Sequence, residues 1–135
     1  MKSFLIKNKF TAVACLVVLI LSVMSGNSLP KSAIPNIDKI VHILMYFGIG
    51  AAMFLDYFLK NKTFALWKNK LLMFVLFPFL FGLAIEIIQG FLPYRTAEWL
   101  DLLSDFLGGI LAILVVLCFG KKIENIIKKS TDYTN

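Results

Sequence analysis

Four runs of apolar residues alternate with polar, lysine-containing segments along the chain. A helix needs about 20 apolar residues to cross the hydrocarbon core of a bilayer. The last three runs reach that length, and the first is shorter. The runs predict helices over about residues 10–26, 40–59, 71–92 and 102–119. We therefore predict an all-α fold, an integral membrane four-helix transmembrane bundle.

The first run resembles a secretory signal, because Lys2, Lys7 and Lys9 precede an apolar stretch. A cleavable signal ends in small residues of the A-x-A type. That pattern does not follow the first run, whereas three further apolar runs do. We expect this helix to be retained in the membrane as part of a single domain over residues 1–135.

The composition supports a membrane protein. Hydrophobic residues make up 59% of the chain and charged residues 16%, and the mean hydropathy is +0.83. Ordinary soluble domains carry about 45–50% apolar and about 25% charged residues, so a soluble domain and a disordered chain are both excluded. Cys15 and Cys118 both lie inside apolar runs, which is typical of packed thiols and not of a disulfide.

The distribution of basic residues predicts the orientation. Basic loops stay in the cytoplasm, which places both termini inside and makes residues 121–135 a basic cytoplasmic tail. Juxtamembrane lysines also suit contact with anionic lipid, so we expect membrane lipids and no nucleic acid as partners. Eleven of the fourteen basic residues fall on one side of the predicted bundle: Lys2, Lys7, Lys9, Lys60, Lys62, Lys68, Lys70, Lys121, Lys122, Lys128 and Lys129.

Polar residues, most of them ionisable, interrupt the apolar pattern on three predicted helices. A charged side chain near the bilayer centre costs at least about 2.5 kcal/mol, so it usually faces protein or water. Helical spacing places each set on one face, and the alternating direction of the helices brings all of them to the outer third of the membrane. These residues are Asp38, Lys39, His42, Tyr46, Glu86, Gln89, Asp101 and Asp105, with Arg95 in the outer loop. Asp56 lies nearer the cytoplasm, where its spacing predicts an ion pair with Lys60.

Each of these residues has a chemical and a structural interpretation. His42 suits a general base or a ligand, or a polar bridge between helices. Glu86 lies deep enough that it must be protonated or paired. Asp101 and Asp105 also suit the N-terminus of the fourth helix, and Arg95 suits a phosphate group or the membrane interface. One histidine with three carboxylates is a weak metal signal, so we expect no metal and no cofactor.

Three motifs lie between Asp38 and Gly108. They are Asp38-Lys39-x-x-His42-x-x-x-Tyr46-Phe47-Gly48, then Glu86-x-x-Gln89-x-Phe91, then Arg95, Asp101, Asp105 and Gly108. These motifs resemble those of the VanZ-like family of small bacterial membrane proteins, with Asp at position 105 where the family pattern often has Asn. The resemblance runs from about Asp38 to Ala112 and implies that the motif residues form the family's site, without implying a settled reaction.

The founding member of that family is linked to low-level resistance to teicoplanin, a lipoglycopeptide that acts at the outer leaflet. The resemblance and the polar residues together lead us to expect a bacterial cytoplasmic membrane protein that binds or processes an anionic amphiphile, an envelope lipid or such an antibiotic. A structural subunit of an envelope complex and a small proton-coupled transporter are the alternatives, and the oligomeric state stays open. We assign candidate catalytic roles to His42, Glu86, Asp101 and Asp105, and substrate-binding roles to Asp38, Lys39, Tyr46, Gln89 and Arg95.

The predicted orientation is testable with reporter fusions in a bacterial host. Green fluorescent protein fused to the C-terminus should fluoresce, because it matures only in the cytoplasm, and alkaline phosphatase fused there should be inactive. A fusion after Tyr94, in the predicted outer loop, should give the opposite pair of signals. Active phosphatase at the C-terminus would show that the positive-inside assignment is wrong.

Overall fold

The computed structural model describes residues 8–24, 36–61, 63, 71–94 and 98–132. Within these residues the regular structure is entirely helical, which confirms the predicted all-α class. The four helices are α1 (Lys9–Val23), α2 (Ile37–Asn61), α3 (Leu71–Gly90) and α4 (Trp99–Asp132).

Three of these helices are long and apolar enough to cross a membrane: α2, α3 and α4 as far as Ile126. Many large apolar side chains face outward along them, including Leu72, which is 75% exposed. Such a surface is costly in water and is expected where helices meet lipid. The first helix has 15 residues, about 22 Å at 1.5 Å per residue, and is therefore shorter than the hydrocarbon core.

Two helices extend beyond the apolar runs that predict them. α2 begins at Ile37, so Asp38 and Lys39 lie in its first turn. Asn36, immediately before it, has a positive φ of 56°, a conformation that asparagine tolerates better than most residues. α4 continues through the predicted basic tail to Asp132. An apolar run marks the membrane-embedded part of a helix, whereas lysine and glutamate continue the helix outside it.

Small residues bring α2 and α4 close together, and this is the most extensive helix pair of the fold. Gly108 of α4 lies against the α2 backbone, where an added Cβ would meet the carbonyl of Ile43 and lie 2.9 Å from the nitrogen of Phe47. Further along α2 in the same contact, a Cβ added to Gly50 would lie 2.5 Å from the Cβ of Ala112. Small residues at a membrane-helix contact allow this close approach.

An aromatic cluster fills the bundle beside α1, α2 and α3. The rings of Phe54 and Phe74 stack with centroids 4.2 Å apart, and Tyr57 meets Phe74 edge-on at 5.9 Å. Val18 of α1 is buried against this cluster. A cavity of about 590 Å³ opens among the same helices, with Thr11 among its lining residues.

Asp56 joins α2 to the start of α1. It is 5% exposed, and its carboxylate accepts hydrogen bonds from the Thr11 amide at 2.8 Å, the Thr11 hydroxyl at 2.7 Å and the Phe10 amide at 3.3 Å. The predicted pairing with Lys60 is therefore wrong. The first amides of a helix lack partners within it, and a carboxylate that reaches them satisfies several donors at once.

The close approach at Gly108 predicts the effect of an added methyl group. Gly108→Ala should lower the free energy of unfolding in detergent by about 1–3 kcal/mol, because the backbone of α2 must move to accommodate the new atom. Gly48→Ala is the matched control, since a Cβ there would meet nothing within 4 Å. Equal destabilisation by the two variants would contradict the proposed contact.

Candidate functional site

A buried histidine–carboxylate pair joins α2 to α4 near the start of both helices. His42 Nδ1 and Asp105 Oδ1 are 2.7 Å apart, and Asp105 is completely buried. When Nδ1 donates its proton to Asp105, the second nitrogen carries the free lone pair. That nitrogen, Nε2, lies 3.8 Å from Asp101 Oδ2.

Tyr46 and Gly82 surround the Asp105 carboxyl. Tyr46 follows His42 by one helical turn, is completely buried, and faces Asp105. Gly82 of α3 gives the carboxyl its space, since a Cβ at that position would lie 2.7 Å from Asp105 Oδ2. The histidine–carboxylate pair thus lies at the meeting point of three helices.

Glu86 brings a second buried carboxylate to the same place from α3. It is 6% exposed, and its Oε2 accepts the backbone N–H of Glu98 at 2.9 Å. Glu98 directly precedes α4, and its own carbonyl accepts the amide of Leu102. Glu86 therefore links α3 to the residue that directly precedes α4. His42, Glu86 and Asp105 each offer one potential ligand atom, and these atoms lie within 4.8 Å of one another.

Lys39 holds three further carboxylates at the rim. Its Nζ lies 2.7 Å from Asp38, 2.7 Å from Glu98 and 2.8 Å from Asp101. The side chains of Asp38 and Glu98 are about half exposed, at 53% and 47%, whereas that of Asp101 is 12% exposed. Lys39 is thus already neutralised, and binding an anion would require it to release a partner.

We name these residues the polar cluster: Asp38, Lys39, His42, Glu86, Glu98, Asp101 and Asp105. Among these described residues, five carboxyl groups face one lysine and one histidine. The cluster is therefore rich in negative charge, which is costly inside a low-dielectric bundle unless the groups are protonated or matched by cations.

Two predicted site residues, Gln89 and Arg95, are not among those that the structure brings to the histidine–carboxylate pair. Gln89 is buried but faces α1, where its Nε2 donates to the carbonyl of Ser22 at 3.0 Å. Arg95 lies outside the described residues. The neighbouring Tyr94 hydroxyl donates to the carbonyl of Val23 at 3.0 Å, so the C-terminal end of α1 is tied to the segment that follows α3.

Sequence reasoning did not include Glu98 in the site. The predicted fourth helix began at residue 102, which left Glu98 in a loop. Glu98 precedes Asp101 by three residues, close to one helical turn, and an earlier helix start would have placed both on one face. The spacing of Glu98 and Asp101 therefore indicated a shared face, but the predicted helix start at residue 102 left Glu98 out.

The fold and the polar cluster define a small membrane protein whose helices bring ionisable residues together inside the bundle. The chain belongs to the VanZ/LLP1 family, whose sequence profile matches residues 4–120. It is also similar to uncharacterized protein C11E3.10 of Schizosaccharomyces pombe, with 29% identity over 119 residues that cover 88% of this chain and 69% of the relative. No solved structure matches the chain. The family match confirms the resemblance seen in the three motifs.

Replacing Lys39 tests its role at the rim. Lys39→Met should lower the free energy of unfolding by roughly 1–2 kcal/mol. The reason is that the buried carboxylate of Asp101 loses its cation, while the carboxylates of Asp38 and Glu98 lose theirs at the same time. Lys121→Met, at an exposed position of α4, is the control and should change little. If denaturation in detergent gives the same value for both variants, the three ion pairs contribute nothing to stability.

Proposed function

We propose that the polar cluster binds the polar head group of an amphiphile, an anionic envelope lipid or a lipid-tailed glycopeptide. The supporting observation is the His42–Asp105 pair, which is buried between α2 and α4 yet close to the exposed rim formed by Asp38 and Glu98. Ionisable groups kept inside a membrane bundle most often serve a ligand or ion pathway.

We place the protein in the cytoplasmic membrane of a bacterium, with the polar cluster at the outer leaflet. The basic loops support this orientation, and the VanZ/LLP1 match supports a role in the cell envelope or in resistance to drugs such as teicoplanin. The similarity to a yeast protein favours a ligand that both kinds of cell contain, which is a membrane lipid.

Lys39 is the described residue best placed to hold an anionic head group. Its pairs with Asp38 and Glu98 are half exposed, and such pairs contribute only about 0–1 kcal/mol each. Lys39 can therefore turn from these two partners toward a phosphate while it keeps Asp101. Arg95, as a guanidinium, would add a second phosphate contact from the outer loop.

His42 is the group best placed to exchange a proton with a bound head group. Its Nδ1 contacts Asp105, which fixes the ring, and its Nε2 lies on the side of Asp101 and the rim. A histidine held by a carboxylate is a common arrangement for acid–base chemistry. Binding is the proposed function, and proton exchange is the chemistry that the pair would add.

A purely structural role is the second candidate. It is favoured by the contact of Glu86 with the backbone of Glu98 and by the three ion pairs of Lys39, because these tie α2, α3 and α4 together without any ligand. The two functions differ in what a conservative substitution changes: ligand binding in the first, stability alone in the second.

The test uses Lys39→Met and His42→Gln, with Asp56→Asn as the control. Asp56 is a buried carboxylate that also joins two helices, but it lies at the other end of α2. Native mass spectrometry of the solubilised protein with phosphatidylglycerol, phosphatidylcholine and teicoplanin should show binding of an anionic ligand. Both site variants should weaken it at least tenfold, and Asp56→Asn should not.

Two results would overturn the proposal. One is undiminished binding by both site variants, which would leave the cluster with a structural role. The other is equal loss in Asp56→Asn at matched folded amounts, which would show that binding follows general stability. Stronger binding of phosphatidylglycerol than of teicoplanin would identify the ligand as a membrane lipid, and the opposite order would identify it as the glycopeptide.

A further inference from the structure

We propose that His42, Glu86 and Asp105 bind a divalent transition-metal ion, with Zn²⁺ and Mn²⁺ as the best-matched ions. This inference deepens the proposed function and rests on it only in treating the polar cluster as a ligand site. From the sequence, one histidine with three carboxylates is a weak metal signal and predicts no metal, whereas the geometry points the other way.

The three side chains converge from three different helices. His42 comes from α2, Glu86 from α3 and Asp105 from α4, and one ligand atom of each lies within 4.8 Å of the others. Neighbouring ligands on a tetrahedral ion with bonds of 2.1 Å are about 3.4 Å apart. To reach this spacing the Glu86 carboxylate would move closer, and His42 Nδ1 and Asp105 Oδ1, now 2.7 Å apart, would separate slightly. A ring nitrogen with two carboxylates is a donor set that suits zinc, manganese and iron.

Glu86 supplies the second, independent observation. The residue is buried to more than nine-tenths, and only Oε2 is used, by the backbone of Glu98. The other oxygen, Oε1, is buried and has no hydrogen-bond partner among the described residues. An unsatisfied buried carboxylate oxygen is unfavourable, and a cation between Glu86, His42 and Asp105 would satisfy it.

The charge of the cluster also favours a cation. Five carboxyl groups share one lysine, and that lysine lies at the rim on the side of Asp38, Glu98 and Asp101. Glu86 and Asp105 therefore have only His42 as a cationic partner among the described residues. A divalent ion there would neutralise the inner half of the cluster, where burial makes uncompensated charge most costly.

A bound ion would also explain how an acidic cluster accepts an anionic head group. Protein ligands fill three positions, and an open fourth position is typical of zinc sites that bind further ligands. A phosphate oxygen could take that position while Lys39 contacts the same group from the rim. In this form Asp105 and His42 bond to the ion instead of to each other, so proton exchange by His42 belongs to the metal-free form.

The other acidic group, formed by Asp38, Glu98 and Asp101, is not part of this proposal. Its ligand atoms also lie close together, but two of the three residues are exposed and Lys39 already neutralises them. This group provides the control, because Asp38→Asn removes one of its carboxylates and leaves His42, Glu86 and Asp105 intact.

The experiment measures metal binding by the full chain in detergent, without any amphiphile. After chelation and dialysis, the protein is titrated with Zn²⁺, Mn²⁺ and Co²⁺. We expect one ion per chain by elemental analysis, visible absorption from bound Co²⁺, and a melting temperature that rises with Zn²⁺. Glu86→Gln and Asp105→Asn should each weaken binding at least tenfold, whereas Asp38→Asn should bind as the unchanged chain does.

The inference is overturned if the unchanged chain binds no ion at micromolar concentration, or if Asp38→Asn loses the ion as fully as Glu86→Gln. Gln and Asn have nearly the same size as Glu and Asp, so the substitutions remove the charge without changing the packing. If a variant still fails to fold, the Co²⁺ spectrum of the unchanged chain tests the inference by itself. If the chain binds an amphiphile but no metal ion in the titration, the inference is wrong and the proposed function stands. If the chain binds a metal ion but no amphiphile, the proposed function is wrong and the metal site stands.

Discussion

A polar side chain buried in this bundle needs a partner from the protein, because hydrocarbon offers none. Two carboxylates meet this constraint in the same way at opposite ends. Asp56 of α2 accepts the first amides of α1, and Glu86 of α3 accepts the backbone N–H that precedes α4. Interhelical caps of this kind fix where one helix begins relative to its neighbour. Through Glu86, the start of α4, which carries Asp101 and Asp105, is held against α3.

The convergence of His42, Glu86, Asp101 and Asp105 was predictable from the sequence, because helical spacing and alternating direction together determine depth. The partner of each side chain was less predictable. Asp56 pairs with α1 and not with Lys60, and Gln89 faces α1 and not the polar cluster. Spacing places a residue on a face of its own helix, whereas the rotation of that helix in the bundle decides which neighbour the face meets.

The cavity and the polar cluster are two different environments within the bundle. The cavity of about 590 Å³ lies beside Asp56, Thr11 and the aromatic rings, whereas Asp105 in the polar cluster is completely buried. Any amphiphile bound at the cluster therefore places its apolar chains along the outside of the helices or in the lipid itself. Under the proposed function, the cluster would contact the head group alone and would not enclose a whole molecule.

The dependence of α1 on Asp56 has a consequence for biogenesis. When the chain leaves the ribosome, the first helix emerges before the residue that satisfies its leading amides has been synthesised. Those amides need other partners, such as water, until α2 is made. The bond of Asp56 to the leading amides of α1 can therefore form only after synthesis has passed residue 56.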